Sequence, residues 1–355
     1  MTFIDPPEEE LQLTSEEDPR KWPTWKRIWI SVGPLLGVFS LTSGNSIYVA
    51  AVPLVNAEFQ VGSTLGMLPI TLYTLGLALG PIISSSTSEV YGRRPVYVLS
   101  LLGAMAFNAV GGSASNFRTL AVARLLAGIT GGPMIPVVAG TLNDLWDTPS
   151  EQIGTRLMGL FACSIAWGSE IGPVMGQPII EVSGNWRWTF WLSIILLGVS
   201  CVVWLNPETF GPELLRQKCR RLGKPPPPRG SLKDNLKIAL GRPLHMMIVE
   251  PVIVPTSFIS AISLSIVFFF YVAYPFIFES IYSFTPHQVA LSFLSLLIGS
   301  ALGLVIMIFI NKRLHKKAEM LARTRRLTMK PEEHLYHTML GGILLPLSLF
   351  WFVSS

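Results

Sequence analysis

The stretch SEVYGRRPV, residues 88–96, stands between two long charge-free runs. Residues 59–88 hold no Asp, Glu, Lys or Arg, and neither do residues 95–117. Each run is long enough for a helix through a hydrocarbon core, which needs about 20 mainly apolar residues. One acid, Glu89, and two adjacent arginines, Arg93 and Arg94, are confined to a tip whose sharp turn Gly92 permits. The stretch reads as a charged hairpin turn at a membrane face, with a span on either side.

Composition agrees along the rest of the chain. Half of the 355 residues are hydrophobic and only 14% are charged, against roughly 25% in soluble domains. Mean hydropathy is +0.48. Nine spans are expected: 28–55, 65–86, 96–112, 119–142, 155–180, 189–205, 247–270, 289–310 and 337–355. The fold class that follows is an all-α, multi-pass membrane protein.

The net charge of +5 is a matter of placement. With the loops alternating from a cytoplasmic N-terminus, 24 of the 27 Lys and Arg residues fall on the cytoplasmic side. Only Arg118 and Arg187 fall outside, and Arg124 lies within a span. That is the positive-inside bias, so the basic loops face an anionic leaflet and no nucleic-acid partner is expected. Trp186, Trp188 and Trp191 fit an interfacial aromatic belt. The first 27 residues are acidic at the start and read as a disordered cytoplasmic tail, not a cleavable leader. Cys163, Cys201 and Cys219 show no pairing or metal-ligand spacing, and neither a metal nor a cofactor is expected.

Six spans, residues 28–206, precede the longest internal connection. Residues 207–245 form a basic linker with four consecutive prolines at 225–228, a composition that favours an extended spacer. Residues 246–355 then open a second bundle with three spans.

The turn 85–94, SSTSEVYGRR, resembles the loop signature of the Major Facilitator Superfamily, Gly-x-Leu-x-Asp-x-x-Gly-Arg-Arg/Lys. Glu89 stands for the acid and Gly92, Arg93 and Arg94 match, whereas Ser85 and Thr87 depart. SEVYGRRPV is similar to the variant of fungal twelve-span drug:proton antiporters. Two further matches lie in the fourth and fifth spans. RLLAGITGG (124–132) resembles the family's Arg-x-x-x-Gly-x-x-Gly, and GSEIGPVMGQP (168–178) its antiporter signature. Gln177 departs from the final Gly of the latter. The resemblance extends over almost the whole chain, which is then three spans short of twelve.

The resemblance implies a fold of a complete six-helix bundle plus about three helices of a second. It also implies a cytoplasmic latch of Glu89, Gly92, Arg93 and Arg94, with Arg93 reaching an acid at the end of the fourth span, for which Asp144 is the candidate. The alternative is that these charges only mark topology. Gly168, Gly172 and Gly176 form a smooth stripe for close helix approach, with Pro173 bending the helix. The family packs span five on span eight and span two on span eleven. Gly76 and Gly80 would then lack their partner, while Gly299 and Gly303 would face span five.

Ionisable groups inside spans are site candidates by default. Arg124 is either held by carbonyls or another structural partner, or used for charge coupling. Glu170 is the other intramembrane acid. Their depths differ by roughly 7 Å at 1.5 Å per residue, so a pair, direct or through water, is expected, with Glu170 as proton carrier. Asn45, Tyr48, Gln177, Glu250 and Tyr271 are candidates for lining a substrate cavity, as is Tyr73.

The expected function is export of a small amphipathic compound in exchange for protons by a monomer in the plasma membrane. Its partners would be the substrate, protons and the bilayer. There is no phosphate loop, catalytic triad or metal cluster in the sequence, which disfavours an enzyme. A truncated, non-transporting remnant or a regulatory membrane protein is the alternative; nutrient uptake is disfavoured by the antiporter-type fifth span.

Overall fold

The computed structural model describes residues 13–146, 152–201, 206–325 and 336–354. Among these residues no strand occurs. The helices are α1 (Thr24–Ser46), α2 (Tyr48–Phe59), α3 (Ser63–Gly66), α4 (Leu68–Tyr91), α5 (Arg93–Gly112), α6 (Phe117–Gly131), α7 (Met134–Leu145), α8 (Gln152–Ser183), α9 (Trp188–Ser200), α10 (Gly211–Arg221), α11 (Leu232–Val249), α12 (Ile253–Ser280), α13 (Pro286–Ser292), α14 (Leu294–Arg325) and α15 (Tyr336–Ser354). Among the described residues, seven helical segments are long and apolar enough to cross a membrane, and the apolar helices Trp188–Ser200 and Gly341–Phe352 are shorter.

Several boundaries differ from the sequence reading. The tail does not run to residue 27. A 3₁₀ turn forms at Pro19–Lys21 with Asp18 accepting from the Arg20 N–H, and α1 starts at Thr24. The Trp22 indole donates to the Glu16 carbonyl at 2.8 Å. The first span is two helices joined at Ile47, and the fourth is two joined at Gly132 and Pro133. The seventh begins only at Ile253, because α11 ends at Val249 with Glu250 as its C-cap. The end of the expected sixth span, residues 202–205, lies outside the described residues.

The first bundle is built on glycine contacts. Gly76 and Gly80 of α4 meet the fourth span. A Cβ on Gly76 would lie 2.5 Å from the Leu125 carbonyl oxygen and 2.6 Å from the Ile129 nitrogen, and one on Gly80 would lie 2.6 Å from the Gly132 Cα. Their expected lack of a partner is therefore corrected: α4 and α6 pack backbone to backbone, each through its own Gly-xxx-Gly pair. The stripe of α8 packs on the first span in the same manner. A Cβ on Gly172 would lie 2.6 Å from the Ile47 nitrogen, and one on Gly176 would lie 2.8 Å from the Ile47 carbonyl oxygen. The α8 helix runs unbroken through Pro173 and Pro178.

Two apolar clusters fill the bundle. Trp22, Val96, Leu101, Met134, Leu142, Trp146 and Leu197 pack at one end. At the other, Tyr48, Val55, Leu120, Trp186 and Phe190 join Tyr271, Tyr274 and Phe293 of the second half. The second half meets the first chiefly through α14 and α13 on α8, as the expected packing of span eight on span five requires. The contact is not made by glycines, however. Gly299 and Gly303 face open space, while Met307 and Leu304 approach Gly159.

Candidate functional site

The turn that opened the sequence reading is the centre of a charged cluster. Gly92 sits at φ +94°, a region where a side chain is strained. A Cβ there would also lie 2.5 Å from a Glu208 carboxylate oxygen. The Arg93 guanidinium donates from Nε to Asp144 at 3.0 Å and from Nη1 to the Ser88 hydroxyl at 3.0 Å. It lies 4.9 Å from the Phe210 ring centroid. Arg93 thus ties the end of α4, the start of α5 and the end of α7 together. Glu89 is exposed on the outer side of the turn, and Arg94 is also largely exposed.

Glu208 completes the cluster. Its carboxylate accepts the backbone N–H groups of Arg93 at 2.9 Å and Arg94 at 3.1 Å. It also accepts those of Thr209 and Phe210, both at 3.0 Å. The first N–H groups of a helix have no partner within it and favour an anion, so Glu208 caps α5 from 115 residues away in sequence. Beside it, Arg216 donates to Glu213 at 3.2 Å and to the Val90 carbonyl at 3.3 Å. Arg229 reaches Glu213 at 3.5 Å. The α10 helix is thereby fastened to the tip of the turn. On its other side, Lys218 pairs with Glu17 at 2.9 Å; that hydrogen bond, followed by the Thr14 N–H, holds the Glu17 carboxyl down to about 2.

Within the spans, Arg124 is 1% exposed. It donates to the Gly44 carbonyl at 2.9 Å, to the Asn45 carbonyl at 3.0 Å and to the Asn45 side-chain oxygen at 3.1 Å. Those carbonyls lie at the C-terminal end of α1, where a cation is favoured. The rings of Tyr73, Tyr48 and Phe190 surround the guanidinium at 4.4–5.5 Å. Asn45 donates its amide to Thr74 at 2.9 Å.

Glu170 does not pair with Arg124. It is 6% exposed and accepts from the Ser300 hydroxyl of α14 at 2.8 Å. One residue earlier, the Ser169 carbonyl accepts from the Tyr271 hydroxyl of α12 at 2.9 Å. The Ser46 hydroxyl donates to the Gly168 carbonyl at 3.1 Å. Consecutive residues of α8 therefore bind α1, α12 and α14, and Glu170 lies on the seam between the two halves.

The cavity candidates divide. Tyr48 and Tyr73 are buried and donate to the carbonyls of Gly66 at 3.2 Å and Leu41 at 3.0 Å. Both are packed core groups. Gln177 donates to Glu181 one turn on, at 3.2 Å. Glu250 is exposed at the end of α11: the helix boundary falls on it, so it is the C-cap of α11 and precedes α12, the seventh span in which it was expected.

The profile of the Major Facilitator Superfamily matches residues 34–355. The chain belongs to that superfamily. The "MFS-type transporter traF" of Penicillium crustosum is 31% identical over 96% of this chain and 69% of its own length. The "Efflux pump FUB11" of Gibberella moniliformis is 28% identical over 93% of this chain and 56% of its own. The "Polyamine transporter 4" of Saccharomyces cerevisiae is 28% identical over 94% and 55%. This chain thus spans between about half and two thirds of the length of these relatives. A solved D-xylose–proton symporter has the same fold, with a TM-score of 0.51 at 15% identity, covering 81% of this chain and 69% of its own.

In this superfamily member the sequence reading missed Glu208, Arg216 and Glu213. Glu208 left one signal: no acid lies between Glu181 and Glu208, and it follows Pro207 at the mouth of the sixth span. A second missed cluster lies at the opposite end of the bundle. Glu58 accepts from the Trp186 indole at 2.5 Å and from Arg187 at 2.8 Å, so a residue of the expected aromatic belt is a buried hydrogen-bond donor that joins α2 to the start of α9.

Proposed function

We propose that this protein is a secondary exporter of a small amphipathic compound, driven by proton exchange, with Glu170 as the proton-carrying group. The observation that supports it is the position of Glu170: a buried carboxyl on α8 whose partner, Ser300, belongs to the other half of the molecule. Movement of one half against the other would break that bond and change the solvation of the carboxyl. Burial favours the neutral form and exposure to water the charged form, so one movement would load a proton and the opposite movement release it. Arg124 has a static role in this reading, closing the end of α1 beside the joint at Ile47. The Arg93–Asp144–Glu208 cluster fixes the cytoplasmic end of the first bundle as one rigid unit.

The compound exported would be an apolar or weakly polar metabolite or drug, in keeping with relatives named as efflux pumps. The N-terminus would be cytoplasmic, the site of action the plasma membrane and the working unit a monomer. Glu170→Gln keeps the size of the side chain and its capacity to bond Ser300 but cannot release a proton. In cells lacking their own exporters it should lose pH-driven efflux while substrate binding and folded yield stay near wild type. Proton-coupled efflux at the wild-type rate in Glu170→Gln would exclude Glu170 as the carrier.

A further inference from the structure

A cavity of about 890 Å³ opens beside the charged turn, between α4, α5, the fourth span and α10. Its size is within the range of small-molecule sites, roughly 300–1,000 Å³. Its walls have two characters. Leu99, Ile129 and Pro133 form the part set within the spans, and Leu214 closes it from α10. Leu99 is 70% exposed on the outer surface of α5, so this apolar wall is continuous with the surface that meets lipid. Arg94, Arg221 and Arg229 stand at the other end, where the spans give way to the basic loops.

The acids that share the wall are already engaged. All four described contacts of Glu208 are backbone N–H groups, and Glu213 is paired with Arg216 and Arg229. Leu214, Gln217 and Arg221 of α10 all line the cavity; spaced i, i+3 and i+7, they fall on one helical face. Arg216 and Cys219 are buried on the other side of the helix, and Glu213, also buried, sits at the edge of the cleft. The helix thus offers an apolar, a polar and a cationic side chain in order along one side of a laterally open cleft.

A soluble anion has no use for the apolar wall, and an apolar compound has none for the arginines. A phospholipid uses both, and basic pockets between spans on the cytoplasmic side suit anionic headgroups. We propose that this cleft binds an anionic phospholipid, with the headgroup phosphate at Arg94 and Arg221 and the acyl chains along Leu99 and Ile129. The bound lipid would bridge α5 and α10 and so hold together the two elements that Glu208 joins.

The test uses the whole chain in nanodiscs of phosphatidylcholine doped with phosphatidylserine, reading retained lipid by native mass spectrometry and melting by fluorescence. Wild type should retain phosphatidylserine over phosphatidylcholine and melt higher as its fraction rises. Arg94→Ala/Arg221→Ala should lower that retention about thirtyfold, two cations being removed from one headgroup at about 1 kcal/mol each. Arg220→Ala removes one positive charge, as Arg221→Ala alone does, but from an exposed position on α10 outside the cleft, and should retain lipid as wild type does. Should the double variant fail to fold, Arg221→Gln alone, at an exposed position, should still lower retention severalfold. Water-soluble glycerophosphoserine at millimolar concentration should not displace the lipid. Equal loss in Arg220→Ala, unchanged retention in the arginine variants, or displacement by glycerophosphoserine or inorganic phosphate would each overturn the proposal, the last in favour of a site for soluble phosphates.

Discussion

Replacing Glu208 by alanine removes one carboxylate and strands four backbone N–H groups. Two of them, on Thr209 and Phe210, belong to the turn that Glu208 itself starts, and can re-form with a modest local shift. The other two, on Arg93 and Arg94, are the long-range ties between the sixth-span exit and α5. A hydrogen bond to a charged group contributes about 1.5–3 kcal/mol, so the two ties together contribute about 3–6 kcal/mol. Water in the adjoining cleft recovers part of that, leaving a loss of about 2–4 kcal/mol. In a unit of 150–250 residues, 1 kcal/mol moves the melting temperature by about 2–4 °C. Glu208→Ala should therefore melt about 5–15 °C below wild type in detergent. Glu208→Gln, which keeps one acceptor oxygen, should fall between the two. Hydrogen exchange should quicken selectively in the first turn of α5. Glu89→Gln is the control: the residue is exposed, and a surface change of this kind stays within about 0.5 kcal/mol. A Glu208→Ala protein that melts with wild type, or an equal loss in Glu89→Gln, would refute the capping account and return the turn's function to its side-chain charges alone.

Three further outcomes follow from the same geometry. Gly172→Val puts a branched side chain against the Ile47 nitrogen and should cost about 1–3 kcal/mol or more through separation of α8 from the first span; Gly303→Ala, with nothing within 4 Å, should be neutral or gain up to about 1 kcal/mol from helix propensity, both read as melting shifts. Arg124→Lys keeps the charge but loses the planar fork that reaches two carbonyls and an amide oxygen, so it should destabilise by about 1–3 kcal/mol; a wild-type melting point in Arg124→Lys would mean that charge alone matters there. The Glu17 carboxyl is held below its ordinary value by Lys218, so docking of residues 13–23 gains from this pair above about pH 4.5 and loses that gain as pH falls towards about 2. A spin label at Ser15 should become mobile across that interval, and Glu17→Gln should remove the transition.

The sequence shows where the spans lie far better than it shows what they touch. Runs of 20 apolar residues and the one-sided spread of Lys and Arg are properties of single segments, and the bilayer reads them segment by segment. Breaks inside a span are harder to read. TSGNS (residues 42–46) has the composition of a loop, but it lies inside a run of span length, and only the structure shows that α1 stops at Ser46 and α2 starts at Tyr48. The break is sustained by Arg124, a residue 79 positions away, which takes up the freed carbonyl of Asn45. Small-residue stripes show the same limit. Gly76/Gly80 and Gly299/Gly303 have the same spacing, and one pair is buried against backbone while the other faces open space. Spacing reports that a helix could approach; it does not report that one does.

The expected pair of Arg124 with Glu170 rested on depth alone, and depth fixes only one of two coordinates. The other is the direction a residue faces around its helix, which advances about 100° per residue at 3.6 residues per turn. Gly168, Gly172 and Gly176 lie on one face of α8, and they press on α1 and the joint at Ile47. Glu170 is two residues from Gly168, about 200° around the helix, and so looks away from α1. Arg124 is bound to the end of α1. A residue that faces away from α1 and a residue fastened to it cannot meet, whatever their depths. That opposition was available from the glycine spacing once the stripe was assigned to a helix contact; it needed only the identity of the helix on the other side, α1, which no single-chain pattern supplies. It also gives Glu170 its position on the seam. A stripe that seals α8 to the first bundle turns the acid at its back outward, towards α14, where Ser300 meets it at 2.8 Å. Moving the acid by one residue, as Glu170→Ser with Ser169→Glu, would rotate it about 100° and should break the Ser300 contact while preserving composition. If that double variant retained proton-coupled export at the wild-type rate, the position of the carboxyl on the seam would be irrelevant to coupling, and only its presence in the span would matter.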